Sequence, residues 1–338
     1  MLKGPLMGTN TNSRLSLSSS LILVGLTRCW LARVRFTILT KEVAFVINPV
    51  RIRRIDAFKN RCREVAASEG WQPQFMGTEA GETSPQLQRH LSRFVAGPGD
   101  RLVFAVGGDG TVRACVHALA YSGVPLAIVP RGTANLFAHA LGLPSKLGAA
   151  LAVGFGGYQR QVDLAVADGS PFVAMAGIGL DAAVVRSTPR VLKDHLGWVG
   201  YGVGALAHLG SSTKEMTVRL DGGELLVRRA QSVVVGNVGI LPGGFALFPG
   251  ASLDDGLLDV GILTPKGLLG WASVARWVVA GKHHPGRQFE HYTARHVEVS
   301  TAAELPRELD GDVIAPGSSL VVHVWHEALL VRAPRPPD

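Results

Sequence analysis

From residue 42 onward the chain alternates short apolar runs with stretches whose apolar residues recur at helical spacing. Val43-Ala44-Phe45-Val46-Ile47 is a continuous apolar run halted by Asn48-Pro49, which predicts a buried strand. Positions 55–69 then carry an apolar helical face that stops at Gly70. The same alternation predicts a strand near 74–77, a helix over 85–95, a strand over 102–106 and a helix over 112–121. A strand over 125–129 and a helix over 136–141 complete it. Strands alternating with helices predict a doubly wound parallel sheet covered on both faces. Beyond about residue 160 the texture changes to β-rich runs at 162–167, 171–176, 216–220, 225–235, 258–263, 296–300 and 320–324. These predict a mostly antiparallel C-terminal domain, with Asp221-Gly222-Gly223 as a hairpin turn. Apolar helices near 191–209 and 267–280 interrupt it, and no internal repeat is present.

At 338 residues there is room for two domains, each with its own core. The expected division is 1–40 as a flexible extension, 41–160 with 322–338 as an α/β domain, and 161–321 as a β-rich domain. Apolar residues make up 47% and the net charge is +8, with a pI near 9.7. Such a balance favours anionic partners: nucleotide phosphates, an acidic membrane surface or nucleic acid. Nucleic acid ranks lowest, because no nucleic-acid module is recognisable and there are only 4 tyrosines. Cys29, Cys62 and Cys115 are odd in number and lack metal-ligand spacing, so a reducing, cytoplasmic compartment is expected. Within 1–40, the apolar run at 21–26 is too short for a bilayer span of ~20 residues. Lys3 and Arg14 with Cys29-Trp30 make a poor signal peptide, so an uncleaved extension at the membrane periphery is preferred.

The chemistry concentrates at two βα junctions. Gly107-Gly108-Asp109-Gly110-Thr111 lies between a strand end and a helix start, where glycines let phosphate reach backbone amides and the helix dipole favours negative charge. Asp109 beside a triphosphate calls for a bridging cation, most simply Mg²⁺. The loop is neither a Walker loop nor a Rossmann fingerprint, and a capped tight turn is the plainer alternative. One βα unit later, Pro130-Arg131-Gly132-Thr133-Ala134-Asn135 repeats the arrangement. Parallel strands place both loops at the same sheet edge, where ligands of open α/β sheets bind.

In this order the motifs resemble the diacylglycerol kinase-like lipid kinases, which include bacterial diacylglycerol kinases and sphingosine kinases and are related to NAD kinases. Phe45-Val46-Ile47-Asn48-Pro49 resembles the family's first strand and turn, and Gly177-Ile178-Gly179-Leu180-Asp181-Ala182 the start of its second domain. Leu253-Asp254-Asp255-Gly256-Leu257-Leu258-Asp259-Val260 resembles its metal-binding segment, and Leu309-Asp310-Gly311-Asp312 its Asp-Gly-Glu triplet. The resemblance spans about 42–334. It implies an N-terminal nucleotide domain of NAD kinase/diacylglycerol kinase type and a C-terminal antiparallel β-rich domain. It also implies ATP contacts from Asn48, Pro49, Thr78, Gly107, Gly108, Asp109, Gly110, Thr111, Gly132, Thr133 and Asn135. By the same resemblance Asp310 is the general base, and Asp254, the Leu257 carbonyl and Asp259 hold Mg²⁺.

Some positions depart from the family's pattern. Arg113 and Ala114 stand where it often has Asn-Glu, Asp312 where it has Glu, and Leu136 and His139 where Asp and Arg are common. His283-His284 and His323-x-x-His326 lack a completing carboxylate cluster and read as solvated or core residues. The helix over 267–280 is too short to span a bilayer of ~20 apolar residues. It either packs on the β-domain or docks on lipid, with Lys266, Arg276, Lys282 and Arg287 meeting anionic headgroups. The expected function is ATP-dependent phosphorylation of a lipid hydroxyl at a membrane surface, diacylglycerol giving phosphatidic acid. Other acceptors (a sphingoid base, phosphatidylglycerol, a soluble polyol), an inactive nucleotide- or lipid-binding regulator, and a homodimer stay open.

Overall fold

The computed structural model describes residues 40–78, 85–179, 213–280 and 288–335. The extension expected over 1–40 (its last residue apart), the helix near 191–209, Leu180-Asp181-Ala182, and Lys282 to Arg287 with the adjacent histidine pair lie outside the described residues.

The first part is built from β1 (Lys41–Ile47), α1 (Ile55–Ser68), β2 (Gln72–Gly77), α2 (Pro85–Val95), β3 (Asp100–Gly107), α3 (Asp109–Leu119) and β4 (Leu126–Pro130). The strands lie in the order β2-β1-β3-β4, and all are parallel. Their continuous apolar runs reflect burial on both faces. Along β3, Leu102, Phe104 and Val106 pack with Phe58, Cys62 and Ala66 of α1. Val103 and Ala105 point the other way, onto Leu87 and Leu91 of α2 and Val112 and Val116 of α3. Phe45 and Phe104 stack with centroids 4.8 Å apart in the first of these cores. Cys62 and Cys115 are buried and unpaired, and burial pushes each thiol up to about 12.

Two short helices follow: α4 (Leu136–Ala140), as expected, and α5 (Leu147–Gly156), which the sequence pattern did not disclose. The α5 sequence, Leu-Gly-Ala-Ala-Leu-Ala-Val-Gly-Phe-Gly, has no polar face and three weak helix formers. Tertiary packing supplies what propensity does not, as Ala150, Leu151 and Phe155 pack into the core around Phe104.

The remainder is antiparallel: β5 (Tyr158–Ala167), β6 (Ser170–Phe172), β7 (Met175–Gly179), β8 (Lys214–Leu220), β9 (Leu225–Ala230), β10 (Ser232–Gly236), the ribbon β11 (Ile240–Leu241) with β12 (Phe245–Ala246), β13 (Leu258–Leu263), α6 (Gly267–Ala280), β14 (Phe289–Ala294), β15 (His296–Leu309) and β16 (Asp312–Ala333). The single run expected over 225–235 is two strands, because the Gln231 amide turns to the Leu263 carbonyl. On either side of that break, β9 pairs β8 while β10 pairs β7 and β13. Likewise β15 and β16 run far beyond the expected 296–300 and 320–324. Their extra length is a half-exposed hairpin whose polar residues hide the strand signal. Near its end β16 pairs parallel with β4 at Val331 and Leu126, so one mixed sheet of 14 strands contains both parts among the described residues. On α6, Val274 is buried, and Trp277 packs with Phe248 and Phe289.

One buried carboxylate organises the seam. Between Trp325 and Leu329 the β5–β16 register shifts, and Glu327 takes a left-handed φ of 48°. Asp163 on β5 sits opposite this bulge with no exposed surface. Its Oδ1 accepts from His326 Nδ1 (2.8 Å) and the Glu327 amide (2.7 Å), and its Oδ2 accepts from the Gly256 amide (2.7 Å). The 253–259 segment is thereby tied to both β5 and β16. Asp163→Ala leaves the buried Gly256 amide and the part-buried Glu327 amide without acceptors, at about 1–3 kcal/mol each. The expected result is a fall in unfolding stability of about 2–5 kcal/mol, measured by chemical denaturation; a change within 1 kcal/mol would remove Asp163 from this role.

Candidate active site

The candidate nucleotide residues converge at the carboxyl ends of the parallel strands. In register Ile47 pairs with Gly77 and Val106, and Gly107 with Pro130. This aligns the segments after β2, β1, β3 and β4 along one edge, where Thr78, Asn48, Gly107 to Thr111 and Gly132 to Asn135 all lie. Asn48 donates its amide to the Val106 carbonyl (3.0 Å) and accepts the Val50 amide on Oδ1 (3.2 Å), closing a turn that begins at Pro49. Thr78 is buried, and its amide donates to the Ile47 carbonyl (2.8 Å). Gly110 and Thr133 are exposed.

Between the two glycine loops the backbones touch. A Cβ built on Gly132 would lie 2.5 Å from the Gly108 Cα, so a side chain at Gly132 would have to push the loops apart, and one at Gly108 would meet Gly132 at a tight 3.0 Å. The Arg131 amide donates to the Gly107 carbonyl (2.7 Å), crossing between them. Asn135, at a left-handed φ of 49°, accepts the Gly132 amide (2.8 Å) and returns a bond to the Gly132 carbonyl (2.7 Å). Asp109 completes the lock. Its carboxylate accepts the amides of Leu136 (3.0 Å) and Phe137 (3.1 Å), so it caps α4 rather than its own helix. Burial raises its pKa against the pull of those two amides. The first loop's carboxylate thus has a structural occupation that the sequence did not reveal.

Asp310 sits in the tight turn joining β15 to β16, where Leu309 pairs with Asp312. Asp310 (φ 51°) and Gly311 (φ 80°) both take the left-handed conformation of a two-residue hairpin turn. The Asp310 side chain is only 1% exposed. Its carboxylate accepts the amides of Ala174 (2.7 Å), Val173 (3.1 Å) and Met175 (3.3 Å). Burial pushes the Asp310 carboxyl up to about 6; Arg113 opposes the rise and the charge of Asp109 adds to it. Arg113 reaches over from α3, with Nη1 at 3.8 Å from Asp310 Oδ2. The first glycine loop and the acidic turn, far apart in sequence, share one electrostatic neighbourhood.

The segment 253–259 has a different character. Asp254 is held by Arg160 through Nε (2.9 Å) and Nη2 (2.7 Å), and by Ser252 Oγ (2.6 Å). The Ser252 hydroxyl foremost, with Arg160, keeps the Asp254 carboxyl below its ordinary value. Asp259, buried on β13, bonds His291 Nε2 at 2.7 Å; burial raises its pKa. Among the described residues no three His, Cys, Asp or Glu side chains are grouped to hold a metal. With a guanidinium on Asp254 and an imidazole on Asp259, the segment as folded does not fit the Mg²⁺ that the resemblance implies for Asp254, Leu257 and Asp259. Arg160, Asp163 and His291 escaped the sequence reading, which marked Arg113 only as a departure from the family's pattern, because each acts through a partner distant along the chain.

The loop contact gives the most direct test of this geometry. Gly132→Ala should cost about 1–3 kcal/mol, since the displaced neighbour is backbone that cannot rotate away. Urea unfolding reads this, and an unchanged midpoint would show that the loops separate freely.

The two parts of the chain match two family descriptions: "Diacylglycerol kinase catalytic domain" over residues 42–167 and "YegS C-terminal NAD kinase beta sandwich-like domain" over 174–332. A probable lipid kinase YegS-like of Pseudomonas fluorescens is 34% identical over 284 residues, covering 80% of this chain and 89% of that protein. The diacylglycerol kinase of Bacillus subtilis is 33% identical over 224 residues, 62% of this chain and 71% of that one. An uncharacterized Synechocystis protein is 30% identical over 224 residues, 64% of this chain, and the match spans about half (52%) of its length. The crystal structure of a diacylglycerol kinase from Bacillus anthracis shares the fold, with a TM-score of 0.64 at 22% identity, covering 87% of this chain and 97% of that one. Matching both parts in order, and covering most of the Pseudomonas relative, the chain belongs to the diacylglycerol kinase-like family of lipid kinases.

Proposed function

We propose that the protein transfers the γ-phosphate of ATP to the hydroxyl of a lipid, with diacylglycerol as acceptor and phosphatidic acid as product. The observation that carries this reading is Asp310: a buried carboxylate, raised to about 6, beside a guanidinium rooted on the nucleotide-loop helix. A base near 6 is ionised at neutral pH yet basic enough to accept a proton as it leaves. The acceptor O–H gives its proton to Asp310 while its oxygen attacks the γ-phosphorus. The bond from that phosphorus to the bridging β–γ oxygen breaks, and ADP leaves with the electron pair. Such a transfer needs chiefly alignment and charge neutralisation. The touching glycine loops supply open backbone for the phosphates. Mg²⁺ enters as the companion of the triphosphate, where it would supply charge neutralisation.

The acceptor is argued from chemistry and kinship. A diacylglycerol kinase is among the relatives, and the Pseudomonas relative is named only as a probable lipid kinase. No helix among the described residues is long and apolar enough to cross a membrane. Approach to lipid would instead use a surface, and α6 offers Leu269, 87% exposed, with exposed Lys266 and Arg276 nearby. The three amides on the Asp310 carboxylate favour a second reading, in which it is a structural hub and the protein a nucleotide-binding regulator.

Radiolabelled ATP with Mg²⁺, offered to vesicles containing diacylglycerol, a sphingoid base or phosphatidylglycerol, separates these readings. Label in phosphatidic acid is expected, with faster transfer on anionic than on neutral vesicles and loss with EDTA; ATP binding without label in any lipid would favour the regulator.

Asp310→Asn is expected to lower turnover by at least about 10²-fold, the scale of general-base catalysis, while ATP affinity stays within a few-fold. In the parent protein, kcat/KM should fall as pH drops below about 6, where Asp310 gains its proton. Stability moves oppositely. A carboxyl raised in the folded state contributes stability that is full below its unfolded value, about 3.9, and is lost as pH rises through about 6. Asp310→Asn should therefore unfold no more easily than the parent at pH 8. Retained turnover would take Asp310 out of the mechanism.

A further inference from the structure

We propose that Arg113 is a positioning residue that fastens the Asp310 turn to the nucleotide-loop helix, so that the base is placed by the same element that carries the loop. The inference rests on Asp310 as the base and extends that reading to a residue outside the family's pattern. Arg113 lies on α3, two positions beyond Thr111. Its Nη1 donates to the Leu309 carbonyl (2.7 Å) and its Nη2 to Asp312 Oδ2 (2.5 Å). The guanidinium therefore grips the residue before Asp310 and the residue after Gly311, and also faces the Asp310 carboxylate at 3.8 Å. A planar fork with several fixed donors suits this task, whereas an ammonium is a single point charge.

Two departures from the family's pattern become one in three dimensions. Arg113 stands where Asn is common, and Asp312, one methylene shorter than Glu, is its partner across the site. The other anchors of the turn lead elsewhere: the Asp310 carboxylate holds residues 173–175, and the Gly311 amide holds Glu308 Oε2 (2.7 Å). Neither reaches α3. The Asp312 side chain is 54% exposed, so the ion pair is worth little as stability. Its value is geometric, since misplacing a reacting group by about 1 Å can cost ~10²-fold in rate.

Arg113→Ala should lower kcat about 10- to 100-fold while the KM for ATP changes less than about threefold, and Arg113→Lys should recover only part of the loss. Asp312→Asn should lower kcat less, and the double variant Arg113→Ala/Asp312→Asn should be no worse than Arg113→Ala, as coupled partners require. Hydrogen exchange in the full chain should quicken at the Gly311 and Asp312 amides in Arg113→Ala, with the α3 amides unchanged. That readout needs no turnover, so it stands apart from the base assignment: activity retained in Asp310→Asn would end the base reading alone. Should Arg113→Ala fail to fold, the Lys and Asp312→Asn variants carry the same comparison. An unchanged kcat, losses that multiply in the double variant, or a raised KM for ATP at constant kcat would each overturn the proposal, the last by making Arg113 a phosphate contact.

Discussion

At the ends of β3 and β4 two loops approach until the backbone of Gly132 lies against the Gly108 α-carbon, with no side chain between them. Parallel pairing brings the strand ends level, but pairing alone would leave the loops free to splay. The Arg131 amide, the Asn135 amide group and the Asp109 carboxylate close the gap by hydrogen bonds that run between or within the loops. Each bond satisfies a polar group that the close approach would otherwise strand away from water. The resulting edge presents backbone rather than side chains, which is what a polyphosphate requires of a loop.

Asp310 is the second centre, and its stability runs against its chemistry. Burying a carboxylate is unfavourable, and three amides with a nearby guanidinium only partly offset that cost, which leaves the group less acidic than an ordinary Asp. Left-handed backbone at two successive residues adds a further constraint, easily met by Gly311 and less so by Asp310. Such features persist where neighbouring structure over-determines them. Here that structure is the start of β7 on one side and Arg113 on the other. The mixed sheet, continuous from β4 through β16, gives both neighbours a common frame.

Asp163 performs a related task at the seam. It uses both oxygens to hold a bulge in β16 and the turn at Gly256, and so sets the path of the 253–259 segment. Within that segment Asp254 and Asp259 face Arg160 and His291. A carboxylate paired with a guanidinium has its charge met already, and a cation there would have to displace it. The acidic turn that reads as a metal site in one dimension is an ion-paired surface and a buried Asp–His contact in three.

Much of this protein was legible without coordinates. The continuous apolar runs and their alternation with helical periodicity specified the parallel sheet, because strands buried on both faces leave no other pattern. Glycine loops at successive strand ends specified the sheet edge where the two loops meet, and the order of motifs pointed to the family. Where local signals were weak, reading stopped: α5 has no polar face, and the long β15–β16 hairpin has no clean alternation. The partners were beyond reach altogether. Asp109 caps a helix 27 residues ahead, and Arg113 grips a carboxylate 199 residues away. A side chain's type declares what it can bond, and only the folded chain decides which group stands within reach.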